Sequence, residues 1–194
     1  MAWSLPARSA SPEATRALAA RLAGVARRGD VIVLQGHLGA GKTTFAQGFA
    51  RGLGVEGPVT SPTFTLVRQY PCTLGQLVHV DVYRLDHLAE VADLGLADLV
   101  EEGVALVEWG DVARPALGAV TWTVDITRDD GTATAGTDGT ATATGTAGTA
   151  DGTATAAAGT DGDDDERHLT VHGDDDARRD EVASALAGQV SGAA

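Results

Sequence analysis

Lysine is almost missing from this chain of 194 residues: Lys42 is the only one, against thirteen arginines. A single cysteine, Cys72, excludes an intramolecular disulfide, and no Cys/His cluster has the spacing of zinc ligands. Aromatic residues make up only 4%, yet 43% of the chain is hydrophobic, enough to bury a core. Neither an 18-residue apolar run nor a secretory hydrophobic region is present, so a soluble cytoplasmic protein without a membrane partner is expected. A basic stripe is missing as well, and the net charge is −13. Proteins that grip DNA or RNA by themselves neutralise phosphates with clustered cations. No DNA partner is expected, and a role in an RNA pathway would run through other proteins.

Much of the acidity is local. Residues 129–165 contain only Ala, Gly, Thr and Asp, and their eight aspartates supply −8, leaving −5 for the rest. Such a segment cannot bury enough apolar surface to offset its ordering entropy, so it reads as disordered. It lies between two alternating stretches, which suggests an insertion at a hairpin tip within one domain spanning 1–194. The acid-rich "DGDDDE" does not make a calcium loop. Counted from Asp161, Glu166 stands where glycine is needed and His172 where the bidentate glutamate belongs.

The remaining chain alternates strand and helix signals. "SPEATRALAARLAGVARRGD" (11–30) is a helix with Ser11 as cap, Pro12 in the first position and Leu18, Leu22 and Val25 on one stripe. "VIVLQG" (31–36) and "GVALVE" (103–108) are continuously apolar, as strands buried on both faces are. Lys42 to Leu53 is a helix stopped near Gly54, and "LAEVADLGLADLV" (88–100) is helical in spacing, broken at Gly95. "FTLVRQY" (64–70) and "QLVHVDVY" (76–83) form a hairpin around "PCTLG". "AVTWTVDIT" (119–127) reads as a half-exposed strand, "RHLTVHG" (167–173) as another, and "ARRDEVASALAGQV" (177–190) as a closing helix. The expected fold is α/β: a single P-loop NTPase-type domain, with a mixed, mostly parallel central sheet flanked by helices.

"GHLGAGKT" (36–43) explains the lone lysine. It matches G-x-x-x-x-G-K-[ST] after a buried strand and at a helix start. The glycines let successive N–H groups face phosphate oxygens, and the helix N-terminus adds positive potential. A compact ammonium on a flexible stem reaches between β- and γ-phosphates where a planar guanidinium does not fit in the same way. Thr43 offers a hydroxyl to Mg²⁺. Asp81 and Glu108 each close a strand, and either could hold the metal or orient the attacking water. "TSPTFT" (60–65) places hydroxyls near a phosphate-sensing position or simply makes a Ser-Pro turn, and Trp109 is read as core.

The absences narrow the class further. A guanine-reading Asn-Lys-x-Asp element needs a second lysine, and the one long low-complexity segment lacks the arginines of a kinase lid. What is left is a compact nucleotide-binding domain with a weak or partner-controlled hydrolytic apparatus.

In order, "SPEATRALAARLA", "LQGHLGAGKTTFAQGFARGLG", "VTSPTFTLVRQY", "HVDVYRL" and "LGLADLVEEGVALVEWGD" resemble the TsaE (YjeE) family of bacterial tRNA threonylcarbamoyladenosine biosynthesis ATPases. The resemblance covers about residues 11–127 plus "RHLTVHG". It implies ATP and Mg²⁺ as cofactors and a role in forming N6-threonylcarbamoyladenosine at tRNA position 37. It also implies a TsaB–TsaD transferase complex as the partner that switches hydrolysis on. By that resemblance Gly39, Ala40, Gly41, Lys42, Thr43 and Thr44 contact the phosphates, beside the loop residues His37 and Leu38. Thr43 and Glu108 would hold the metal, with Asp81 a second essential acid of the site. Thr15 would lie near the adenosine and Arg167 would reach the nucleotide. His37 stands where the family usually has an acidic residue, and its side chain is expected in solvent. The alternatives are a non-catalytic nucleotide-dependent interaction switch and a small-molecule kinase.

Overall fold

The computed structural model describes residues 2–83, 95–110, 114, 117–128 and 166–188. In chain order its elements are β1 (Trp3–Ser9), α1 (Pro12–Ala23), β2 (Val31–Gln35), α2 (Lys42–Gly52), β3 (Val67–Cys72), β4 (Gly75–Asp81), α3 (Leu96–Glu101), β5 (Gly103–Glu108), β6 (Trp122–Arg128), β7 (Arg167–Gly173) and α4 (Asp176–Ala187). The sheet has seven strands in the order β1-β7-β6-β2-β5-β4-β3. Strands β6, β2, β5 and β4 pair in parallel, while β7 and β3 run against them. β1, antiparallel to β7, runs with the parallel majority. The expected mixed, mostly parallel sheet is therefore present.

Local chemistry accounts for these elements. The Ser11 hydroxyl accepts from the Ala14 N–H and Pro12 begins α1, so an otherwise orphaned donor at the helix start is satisfied. Asp175 caps α4 in the same way, through Ala177. β2 splits its side chains between faces. Ile32 and Leu34 meet Leu18, Leu22, Phe45 and Phe49 from α1 and α2. Val31 and Val33 join Val78, Val80, Val107, Leu96 and Val100 on the opposite face.

Helices α1 and α2 approach so closely that side chains are excluded between them. A Cβ built on Gly48 would lie 2.3 Å from the Arg16 carbonyl oxygen, and one on Gly52 would lie 2.5 Å from that of Ala20. Spaced four apart, these glycines form one bare stripe on α2.

Several boundaries differ from the sequence reading. The proline in "WSLPARS" hides β1 from a reading of the sequence; Pro6 is tolerated since the strand lies at the sheet's edge. β3 begins at Val67 rather than residue 64, because Leu66 adopts a positive φ of 62° and ends the preceding turn. β6 alternates as expected: Trp122, Val124 and Ile126 face the core, while the Asp125 side chain is 40% exposed and Thr127 is exposed, and only Thr123, at 4%, departs from the pattern. Gly95, at φ 61°, caps α3 as the expected break; residues 88–94 of that helical reading lie outside the described residues. So does the 129–165 insertion, although Arg128 and Arg167 at its two ends are cross-strand partners in the antiparallel β6–β7 pair.

Candidate functional site

The parallel strands deliver their C-terminal ends to one edge, where ligands bind in open α/β sheets. β2 ends at Gln35, and Asp81 and Glu108 are register partners on β4 and β5. The turn after β2 is glycine-dependent, with φ of 139° at Gly36 and 110° at Gly41. A Cβ on Gly36 would lie 2.3 Å from the Ile126 carbonyl oxygen, so β6 leaves no room for any other residue there. Gly41 then starts α2 without a side-chain cap. The first-turn N–H groups thus meet no capping side chain, the arrangement that receives anions.

Lys42 is nearly buried. Its Nζ donates to the carbonyls of Gly36 at 2.6 Å and His37 at 2.9 Å. It also sits 3.6 Å from the centroid of the Trp109 ring. Trp109 has a φ of 62°, uncommon for a bulky residue, and this turns the indole over the loop beside Tyr83, 4.8 Å away between centroids. Trp109 packs on the valine-rich cluster, as a core residue would, but it also lines the site.

The two acidic residues have different surroundings. The Thr43 hydroxyl lies 3.2 Å from both Glu108 carboxylate oxygens, and His79 Nε2 is 2.9 Å from Oε1. Asp81 holds the 61–66 turn instead. Its Oδ2 accepts from Ser61 at 2.9 Å and Thr63 at 2.5 Å, and its N–H donates to the Leu66 carbonyl. The "TSPTFT" hydroxyls therefore serve Asp81, and Ser61 and Thr63 face the same cavity of about 450 Å³. Leu38, Gly39, Gly41, Lys42, Thr43 and Thr44 line its loop side, Asp81 and Glu108 its floor.

A family model described as "Threonylcarbamoyl adenosine biosynthesis protein TsaE" matches residues 9–135, including every residue of this cavity. The chain belongs to the TsaE family. It is 47% identical over 111 residues to "tRNA threonylcarbamoyladenosine biosynthesis protein TsaE" of Bacillus subtilis, covering 57% of this chain and 69% of that protein. The Streptomyces coelicolor protein of the same name is 51% identical over 100 residues, 50% of this chain and 67% of the relative. Among solved structures, Bacillus subtilis YdiB aligns with a TM-score of 0.66 at 31% identity, covering 98% of this chain and 99% of that one.

Not every residue suggested by the TsaE resemblance lies in the cavity. His37 is exposed, as expected, and contributes its carbonyl. Ala40 is buried, with its N–H bonded to the His37 carbonyl. Arg167 flanks the loop: its Nε is 3.5 Å from where a Gly41 Cβ would stand. Thr15 is set back, its hydroxyl bonded to Ser9 at 2.7 Å and to the Ser11 carbonyl at 3.1 Å. No motif marks His79 in the sequence; the one signal is strand alternation, which puts it on the same face as Asp81, two residues on. The donors suit magnesium: a hydroxyl and two carboxylates supply only hard oxygen. No group of three or more His, Cys, Asp or Glu suited to a metal occurs among the described residues, and none of the described helices is long and apolar enough to cross a membrane.

Proposed function

We propose that this chain binds and hydrolyses ATP with Mg²⁺ in the cytoplasm, as the energy-coupling component of tRNA threonylcarbamoyladenosine formation at position 37. The observation that carries this reading is the uncapped, glycine-shaped start of α2, with the sole lysine and the Thr43–Glu108 contact beside it. In it, loop N–H groups from Gly39 to Thr44, other than that of Ala40, receive the triphosphate. Lys42 exchanges the Gly36 and His37 carbonyls for phosphate oxygens, a swap that gains a full negative charge as acceptor. Thr43 and Glu108 would hold the metal, whose positive charge would offset the negative charge of the triphosphate. Asp81, aligned by Ser61 and Thr63, is the second acid and orients the attacking water. Arg167 flanks the phosphates, and Thr15 supports the adenosine side from behind through Ser9, which is in register with Arg167.

The partner is a TsaB–TsaD-type transferase complex, with tRNA reached only through it, in keeping with a net charge of −13. Phosphate release measured with and without that complex tests the reading. Stimulation supports a partner-activated ATPase. Nucleotide binding without stimulation would replace it with an interaction switch, and transfer of phosphate to a metabolite would make the chain a kinase.

A further inference from the structure

We propose that His79 is a positioning residue that fixes the Glu108 carboxylate for the metal. The inference rests on the metal-site reading above. His79 is wholly buried, at 0% exposure, and Glu108 is 3% exposed. A carboxylate only accepts, so His79 Nε2 carries the hydrogen in the 2.9 Å contact with Oε1. His79 Nδ1 has no hydrogen-bond partner among the described residues, so the bond to Glu108 is the one the imidazole makes there. An apolar side chain would cost the strand nothing here unless the carboxylate needs the donor.

The geometry makes the bond directional. His79 lies on β4 opposite Leu106, and Glu108 follows Leu106 by two residues on the neighbouring β5. The imidazole thus reaches diagonally across two hydrogen-bonded strands. Thr43, at the start of α2, meets both oxygens of the same carboxylate at 3.2 Å. With one donor from the sheet and one from the helix, the carboxylate's rotation is set. If the Thr43 oxygen turns its lone pairs to a cation, His79 is the donor that still holds Glu108. Buried carboxylate ligands depend on such outer partners, whose loss costs about ten- to a hundredfold in metal affinity.

The test titrates Mn²⁺ by electron paramagnetic resonance against protein saturated with a non-hydrolysable ATP analogue. His79→Leu and His79→Asn, whose amide is too short to reach, are expected to weaken Mn²⁺ binding about tenfold to a hundredfold. His79→Gln, which returns a donor near the Nε2 position, is expected to recover most of it. All three should bind the analogue normally in EDTA, and their kcat should fall more than KM changes. Wild-type Mn²⁺ affinity in folded His79→Leu overturns the proposal. If that variant folds poorly, equal Mn²⁺ affinities in the Asn and Gln variants overturn it. Analogue binding by the wild type that ignores Mn²⁺ sinks the metal-site reading itself, a result distinct from a defect confined to the variants.

Discussion

Gly48→Ala tests how the P-loop helix is seated. The new methyl carbon would stand 2.3 Å from the Arg16 carbonyl oxygen and 2.4 Å from the Arg16 Cα, both backbone atoms that cannot swing away. Restoring ordinary contact means moving α1 and α2 apart by roughly 1 Å. Overpacking of this kind costs about 1–3 kcal/mol. Contacts this short to backbone atoms put the cost at the upper end, about 2–3 kcal/mol; alanine returns about 1 kcal/mol through its better helix propensity, leaving a net loss of about 1–2 kcal/mol. For a chain of this size that is a fall in Tm of about 2–8 °C. The loss should also reach function, because Lys42 and Thr43 open the helix that must shift. The assay is differential scanning calorimetry beside titration with Mg-ATP. Gly24→Ala is the control: its φ of −65° is helical and its nearest contact is 3.2 Å, so little change is expected. A Gly48→Ala protein as stable as wild type would refute the close approach of α1 and α2.

Three further outcomes are expected. Lys42→Arg should abolish Mg-ATP hydrolysis, since the wider guanidinium must enter a space bounded by the Gly36 and His37 carbonyls and the Trp109 ring; turnover at the wild-type rate, read by phosphate release, contradicts this. Arg178→Ala should destabilise by about 3–5 kcal/mol, because buried Asp30, whose carboxylate lies 2.8 Å from Arg178 Nη2, loses its cation and keeps only the Arg27 N–H as a donor; urea denaturation measures it, and a loss below 1 kcal/mol would show the pair to be dispensable. Replacing residues 129–165 by a two-residue turn should leave Tm and nucleotide affinity nearly unchanged, because Ala, Gly, Thr and Asp offer no core-forming side chains; a large fall in Tm counts against a hairpin-tip insertion.

Features encoded by adjacent residues were legible in the sequence. The Ser11–Pro12 start of α1, the apolar β2 and β5 and the loop at 36–43 each carry their instructions within a few positions. What could not be read depends on neighbours distant in the chain. β1 is a strand because β7, more than 150 residues on, supplies its ladder at the edge of the sheet. The same division holds at the site. Lys42, Thr43, Asp81 and Glu108 stand out by motif and by strand end, and the structure brings them to one cavity. The pairing of Ser61 and Thr63 with Asp81, and of His79 with Glu108, spans 18 to 29 positions; the first follows from a turn folded against the end of β4 and the second from strand register. Thr15 stands out only by resemblance, and its set-back place behind Ser9 is a tertiary fact.

The pairing of Arg128 with Arg167 makes the β6–β7 junction a natural splice port. Arg128 and Arg167 face each other at a single cross-strand step, so the register of the ladder is indifferent to the length of chain between them. Since Arg167 also borders Gly41, a fluorophore or crosslinker spliced there would report from the doorstep of the loop while every strand kept its neighbours.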